Sequence, residues 1–225
     1  RGQLGSGNSA GELGAPIRVA GGHQYSSIAV GWNFACALEN GHALCWGENT
    51  NGQLGDGSTT DRRVPVAAVG DLTFRSIAAG ARHACGLTSR GEAYCWGDNR
   101  GGQLGDGTRV NREVPTALNT SLRFVAIATG ALHTCALTAD GAAFCWGRDN
   151  YGQLGDGDSA QDAVEPVRVA GNHAFAAIRA FGSHTCATTS AGEAFCWGYN
   201  LDGQLGDGSR VNRLRPVYVE PPPGT

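Results

Sequence analysis

HTCALTADGAAFCWG (residues 133–147), continued by RDNYGQLGDG (residues 148–157), contains two apolar runs, Thr134–Thr138 and Ala142–Trp146, on either side of Ala139-Asp140-Gly141. Gly at the end of a three-residue loop supplies the left-handed position that closes a β-hairpin. Val125–Ala128 lies before this hairpin and Val164–Val169 after it, each a short apolar run bounded by turn residues. The unit therefore holds four strands and leaves no room for a helix. GQLG returns at Gly2–Gly5, Gly52–Gly55, Gly102–Gly105, Gly152–Gly155 and Gly203–Gly206, a period of 50 residues with one insertion. Four strands repeated at that period predict the blades of an all-β propeller.

The totals agree with a globular chain. It has 225 residues, 41% hydrophobic and 16% charged, with 36 Gly, 8 Cys and no Met. All 17 basic residues are Arg. A net charge of -3 gives no reason to expect nucleic acid, which calls for clustered positive charge. No apolar run reaches the roughly 18 residues of a membrane span, so membrane insertion is excluded as a reading. Arg1 already lies inside a repeat motif.

Within the hairpin, Cys36 and Leu38 point to one sheet face, and Ala37, Leu44 and Trp46 to the other. Both faces are apolar, so both are read as buried between neighbouring blades. Trp46, Trp96, Trp146 and Trp197 then pack between blades in preference to binding a ligand. HTCALTADGAAFCWG and GQLGDG resemble the repeat of the regulator of chromosome condensation family, and the resemblance runs from Gly2 to Glu220. It implies blades of a propeller of about seven, and it resembles secreted bacterial members in particular.

Residues 1–220 divide into blades at about 22–70, 71–119, 120–170 and 171–220, with an orphan outer strand at Ala15–Val19 and a Pro-rich linker or tail at 221–225. The orphan strand would compete with Pro216–Val219 for one outer position in a closed ring of four. The chain is thus read as a segment of a larger propeller, or an open arc whose edges further blades or a partner cover.

The cysteines fall as Cys36 with Cys45, Cys85 with Cys95, Cys135 with Cys145, and Cys186 with Cys196. Asn40-Gly41 is a two-residue type I′ signal that sets Cys36 opposite Cys45, and the three-residue loops of the other hairpins set their cysteines opposite as well. Opposed non-hydrogen-bonded positions lie about 4.5 Å apart, within disulfide reach. Buried free thiols are the alternative, but they give no reason for a second Cys opposite the first in every blade. Zinc is disfavoured, because His83, His133 and His184 share a face with a Cys while the first unit has Phe34 there. Four disulfides place the chain outside the cytosol, secreted or at the cell surface.

Asp56, Asp106, Asp156 and Asp207 recur in GDG, and Asp158 and Asp162 are extra. They invite a calcium reading, but EF-hand spacing is absent and Asp before Gly is more often an Asx-turn. The Gly-rich loops lack the Lys and helix of a phosphate cradle. The repeated histidines are read as bonding backbone within their blades. No Ser, His and acid set stands outside the repeat frame, so the chain is read as non-catalytic and without a cofactor.

Function should lie where the units differ. The inner turns carry Trp32 and Asn33, then Arg82, then Leu132, and the longer loops at the same end carry Arg62, Arg109, Arg112 and Arg210. Trp and Arg gathered at one end match protein-binding hot spots. Trp32 has a second reading, as a cap on the first blade. An unidentified protein partner is the leading expectation. The resemblance also implies two alternatives: guanine-nucleotide exchange on a small GTPase, or inhibition of an enzyme of the β-lactamase type.

Overall fold

The computed structural model describes residues 1–8, 15–158 and 161–220. Among the described residues sixteen strands form four sheets. The first blade is β1 (Ser27–Val30), β2 (Phe34–Glu39), β3 (His42–Gly47) and β4 (Arg62–Ala67). The second is β5 (Phe74–Ala79), β6 (His83–Thr88), β7 (Ala93–Gly97) and β8 (Arg112–Ala117). The third is β9 (Phe124–Thr129), β10 (His133–Thr138), β11 (Ala143–Gly147) and β12 (Ala163–Arg168). The fourth is β13 (Phe175–Phe181), β14 (His184–Thr189), β15 (Ala194–Gly198) and β16 (Arg213–Tyr218). Each sheet is an antiparallel meander in sequence order. Among the described residues no helix is long and apolar enough to cross a membrane.

Turn chemistry sets the register. Asn40 at φ 51° and Gly41 at φ 83° take the two left-handed positions of a type I′ turn. Glu39 then pairs with His42 and Cys36 with Cys45. The longer hairpins reach the same outcome, with Cys85 opposite Cys95, Cys135 opposite Cys145 and Cys186 opposite Cys196. All four pairs are disulfides, with Cα atoms 4.0 to 4.1 Å apart.

The inner strands stack in succession, β1 on β5, β5 on β9 and β9 on β13. Two unlike faces meet at each boundary. Cys36, Leu38 and Cys45 of the first blade pack against Phe74, Ala84 and Trp96 of the second. Cys85, Leu87 and Cys95 meet Phe124, Ala136 and Trp146, and Cys135, Leu137 and Cys145 meet Phe175, Ala187 and Trp197. Each Trp also donates Nε1–H to the carbonyl of a Gln, at 3.0 Å for Trp96 to Gln53, Trp146 to Gln103 and Trp197 to Gln153. The loop must approach the ring closely for this bond. A Cβ on Gly105 (φ +69°) would stand 2.8 Å from Trp146 Nε1, so the position requires glycine.

Two expectations need correction. Ala15–Val19 is not a strand. The three inner strands that would give it a ladder are not in this sheet set. It still takes up the repeat's position, since Ala20 N–H bonds to Gly5 O as Val69 N–H bonds to Gly55 O, and Val19 packs against Ala35, Ala37 and Trp46. The histidines do not bond backbone within their blades. His83 Nε2 lies 3.0 Å from Thr134 Oγ1, and His133 Nε2 lies 2.8 Å from Thr185 Oγ1, in each case on the next blade. The proposed tail, 221–225, lies outside the described residues.

Candidate functional site

Strand register gathers the variable loops at one end. Phe34 pairs with Gly47 and Gly47 with Arg62, so the turn before β2, the loop after β3 and the start of β4 share that end of the first blade. The other blades repeat the arrangement. Around the axis the inner turns touch: Trp32 N–H reaches Ala81 O at 3.4 Å, and Ala131 N–H reaches Gly182 O at 2.7 Å. Trp32, 65% exposed, therefore lies beside the turn that carries Arg82. Leu132 is half-buried on the following turn.

The remaining expected residues separate into two groups. Arg62 and Arg112 are ion-paired inside their own loops, Arg62 Nε to Asp56 Oδ2 and Arg112 Nε to Asp106 Oδ2, both at 2.7 Å. Arg213 does the same with Asp207 at 2.6 Å. Asp56 Oδ1 also accepts from Ser58 N–H at 3.1 Å, an Asx-turn, and from Asn49 Nδ2 at 3.0 Å. Burial raises the Asp56 carboxyl, but Ser58, Arg62 and Asn49 outweigh it and hold the group below its ordinary range. Asp207 has the same partners and is pushed down to about 2. Asn33 is also engaged internally, through Nδ2 to Glu48 Oε2 at 2.9 Å. Arg109 and Arg210 are exposed; Arg109 reaches across a blade boundary to Asp162 at 3.1 Å.

Neighbouring the loops, the inner edge of the first blade exposes Ile28 and Val30, 58% and 69% accessible. Ile77, the counterpart of Ile28, is buried against the preceding blade, and Ala79, the counterpart of Val30, packs on the same cluster. Sequence reasoning passed over this stripe because Ile28 and Val30 read as ordinary strand residues. Only the stacking order shows that nothing among the described residues covers them. The same holds for Phe181, 77% exposed at the inner edge of the fourth blade.

The profile of the RCC1-like domain matches residues 1–224. The chain belongs to the RCC1-like domain family. This RCC1-like chain is 36% identical over 228 residues to the ultraviolet-B receptor UVR8 of Arabidopsis thaliana, covering 98% of its own length and 52% of the receptor. Among solved structures it is similar to human WBSCR16, at a TM-score of 0.86 and 24% identity, over 98% of this chain and 61% of that one. It is also similar to yeast RCC1 (Prp20) bound to Kap60, at a TM-score of 0.77 and 22% identity, over 92% of this chain and 51% of that one. The RCC1-like chain thus spans about half the length of the curated relative it matches. Such likeness shows the fold and leaves the site to the side chains.

Proposed function

We propose that this chain is a non-catalytic, secreted protein-binding segment of an RCC1-like propeller, functionally akin to the secreted bacterial members its repeat resembles. The observation that carries the reading is Trp32, which lies exposed beside the Arg82 turn on the loop end. An aromatic anchor flanked by Arg is the composition of a binding hot spot. Leu132, Arg109 and Arg210 extend the same end. Arg62, Arg112 and Asn33 support its loops from within. The extracellular setting rests on the four disulfides.

Two measurements test the reading. Alkylation without reductant followed by intact mass should show no labelled thiol; eight labels would remove the extracellular setting and favour guanine-nucleotide exchange inside the cell. A Trp32→Ala, Arg82→Ala double variant should lose a partner captured from secreted proteins while keeping its melting temperature. Unchanged capture would exclude this end of the propeller.

A further inference from the structure

Three of the four blades close the loop after their third strand with the same lock. Asn49, Asn99 and Asn200 accept through Oδ1 from the N–H of Leu54, Leu104 and Leu205, at 2.9 to 3.0 Å. Their Nδ2 groups donate to Asp56, Asp106 and Asp207 at 3.0 Å, and to the carbonyls of Ser58, Thr108 and Ser209 at 2.9 to 3.2 Å. Arg62, Arg112 and Arg213 bind the second oxygen of each Asp.

The third blade changes three members of this lock, all toward negative charge. Asp149 stands for the Asn, Asp158 for the Ser or Thr, and Ala163 for the Arg. Strand pairing fixes the last equivalence, because Gly147 pairs with Ala163 as Gly97 pairs with Arg112. Each change removes one unit of positive charge or adds one of negative, so these three positions together are three units more negative than their counterparts. Two of the bonds that set the turn are nevertheless kept. Leu154 N–H bonds to Asp149 Oδ1 at 2.9 Å, and Asp158 N–H to Asp156 Oδ1 at 3.0 Å.

Asp149 Oδ2 therefore occupies the place where the other blades hold an amide nitrogen. That nitrogen donates to several oxygens; the carboxylate has no hydrogen to give. Asp149 is 1% exposed, and its Oδ2 has no hydrogen-bond partner. Burial, with Asp156, Asp162 and Asp158 adding, pushes its carboxyl up to about 7. Nearby cations do not replace the missing Arg: Arg109 and Arg148 lie on Asp162, at 3.1 and 3.9 Å, and the Arg215 guanidinium lies over Gly157.

We propose that the loop of the third blade binds one Ca²⁺, with the carboxylates of Asp149 and Asp156 as its charged ligands. A single proton on Asp149 would satisfy one acceptor, whereas a hard dication is bound by several oxygens at once. Among the described residues no three His, Cys, Asp or Glu side chains are already gathered as a metal cage. Binding must therefore bring the carboxylate oxygens to about 2.3–2.6 Å from the ion. It should therefore stabilise the blade by mass action.

The test is calorimetric titration of the whole chain, freed of metal with a chelator, with CaCl₂ at neutral pH, and melting temperature in parallel. One Ca²⁺ per chain and a raised melting temperature are the expected result. Asp149→Asn, which restores the amide of the other blades, and Ala163→Arg, which restores their cation, should each weaken binding by about tenfold or more while leaving the metal-free protein as stable or more so. Absence of heat and of a melting shift up to about 5 mM, beyond the weakest extracellular calcium modules, would overturn the proposal. So would unchanged binding in both variants, which would put the ion elsewhere. Stability that falls as pH rises through about 7 with no response to Ca²⁺ would assign the place to a proton instead.

Discussion

The boundary between the first and second blades and the two boundaries that follow solve one geometric problem with different chemistry. At the first, Phe34 packs in an apolar cluster with Ala84. At the second and third, the corresponding pairs are His83 with Thr134 and His133 with Thr185. Thr134 donates its hydroxyl hydrogen to Gln103 O at 2.9 Å, and Thr185 does so to Gln153 O at 3.1 Å. Each Thr oxygen is thereby left as an acceptor, so His Nε2 carries the proton and the ring is neutral. Burial, the larger cause, keeps it neutral, with His83 pushed down to about 4 and His133 to about 3. The polar boundary runs as a chain from His Nε2 through Thr Oγ1 to a Gln carbonyl, and leaves Nδ1 of His83 and of His133 without a partner. Where His is absent, Thr is absent as well.

The largest effect should come from the Trp contact that both kinds of boundary share. Trp146→Ala should cost about 3–5 kcal/mol in urea unfolding. Trp96→Ala should cost about 1 kcal/mol more, because Gln53 O loses its side-chain donor while Gln103 O keeps Thr134. Equal costs would break the distinction between the boundaries.

Acid should separate them next. Both histidines have folded pKa values below the ordinary 6.5, so the unfolded chain takes up the proton first as pH falls. Their contribution is complete above about pH 6.5 and is lost as pH falls toward the folded values, on the order of 2 kcal/mol per histidine between pH 6.5 and 5. His83→Phe with Thr134→Ala, which copies the first boundary, should halve that loss. An unchanged difference in unfolding free energy between pH 7 and 5 would refute the assignment. The smallest effect belongs to the uncovered edge of the first blade, where Trp32→Ala should change stability by no more than about 0.5 kcal/mol. A larger cost would make Trp32 a cap and not a contact residue.

What the sequence made legible follows the range of each interaction. The strands and the facing cysteines depend on turns of two or three residues, so Asn40-Gly41 and Ala139-Asp140-Gly141 were enough to place them. The partner of His83 lies 51 residues away on another blade and could not be read from its own hairpin. Arg62 and Arg112 looked like surface binding groups because the Asp six residues before each was read only as a turn residue. Ala15–Val19 has the composition of an outer strand, but composition does not supply a ladder. The departure of the third loop was visible as extra Asp residues. Its meaning needed the other three loops, which show that an amide donor stands where Asp149 has none.

Each Trp that seals a boundary bonds to a Gln 43 residues earlier, or 44 where the chain carries its extra residue. Blade and repeat are therefore out of phase: the peg that fixes a blade is encoded with the blade before it. A duplication or deletion of one whole period, cut at any point, rejoins a Gln to a Trp at the same spacing. The arc can gain or lose blades by recombination without having to evolve a new boundary, whereas a partial insertion between peg and Trp would separate the two.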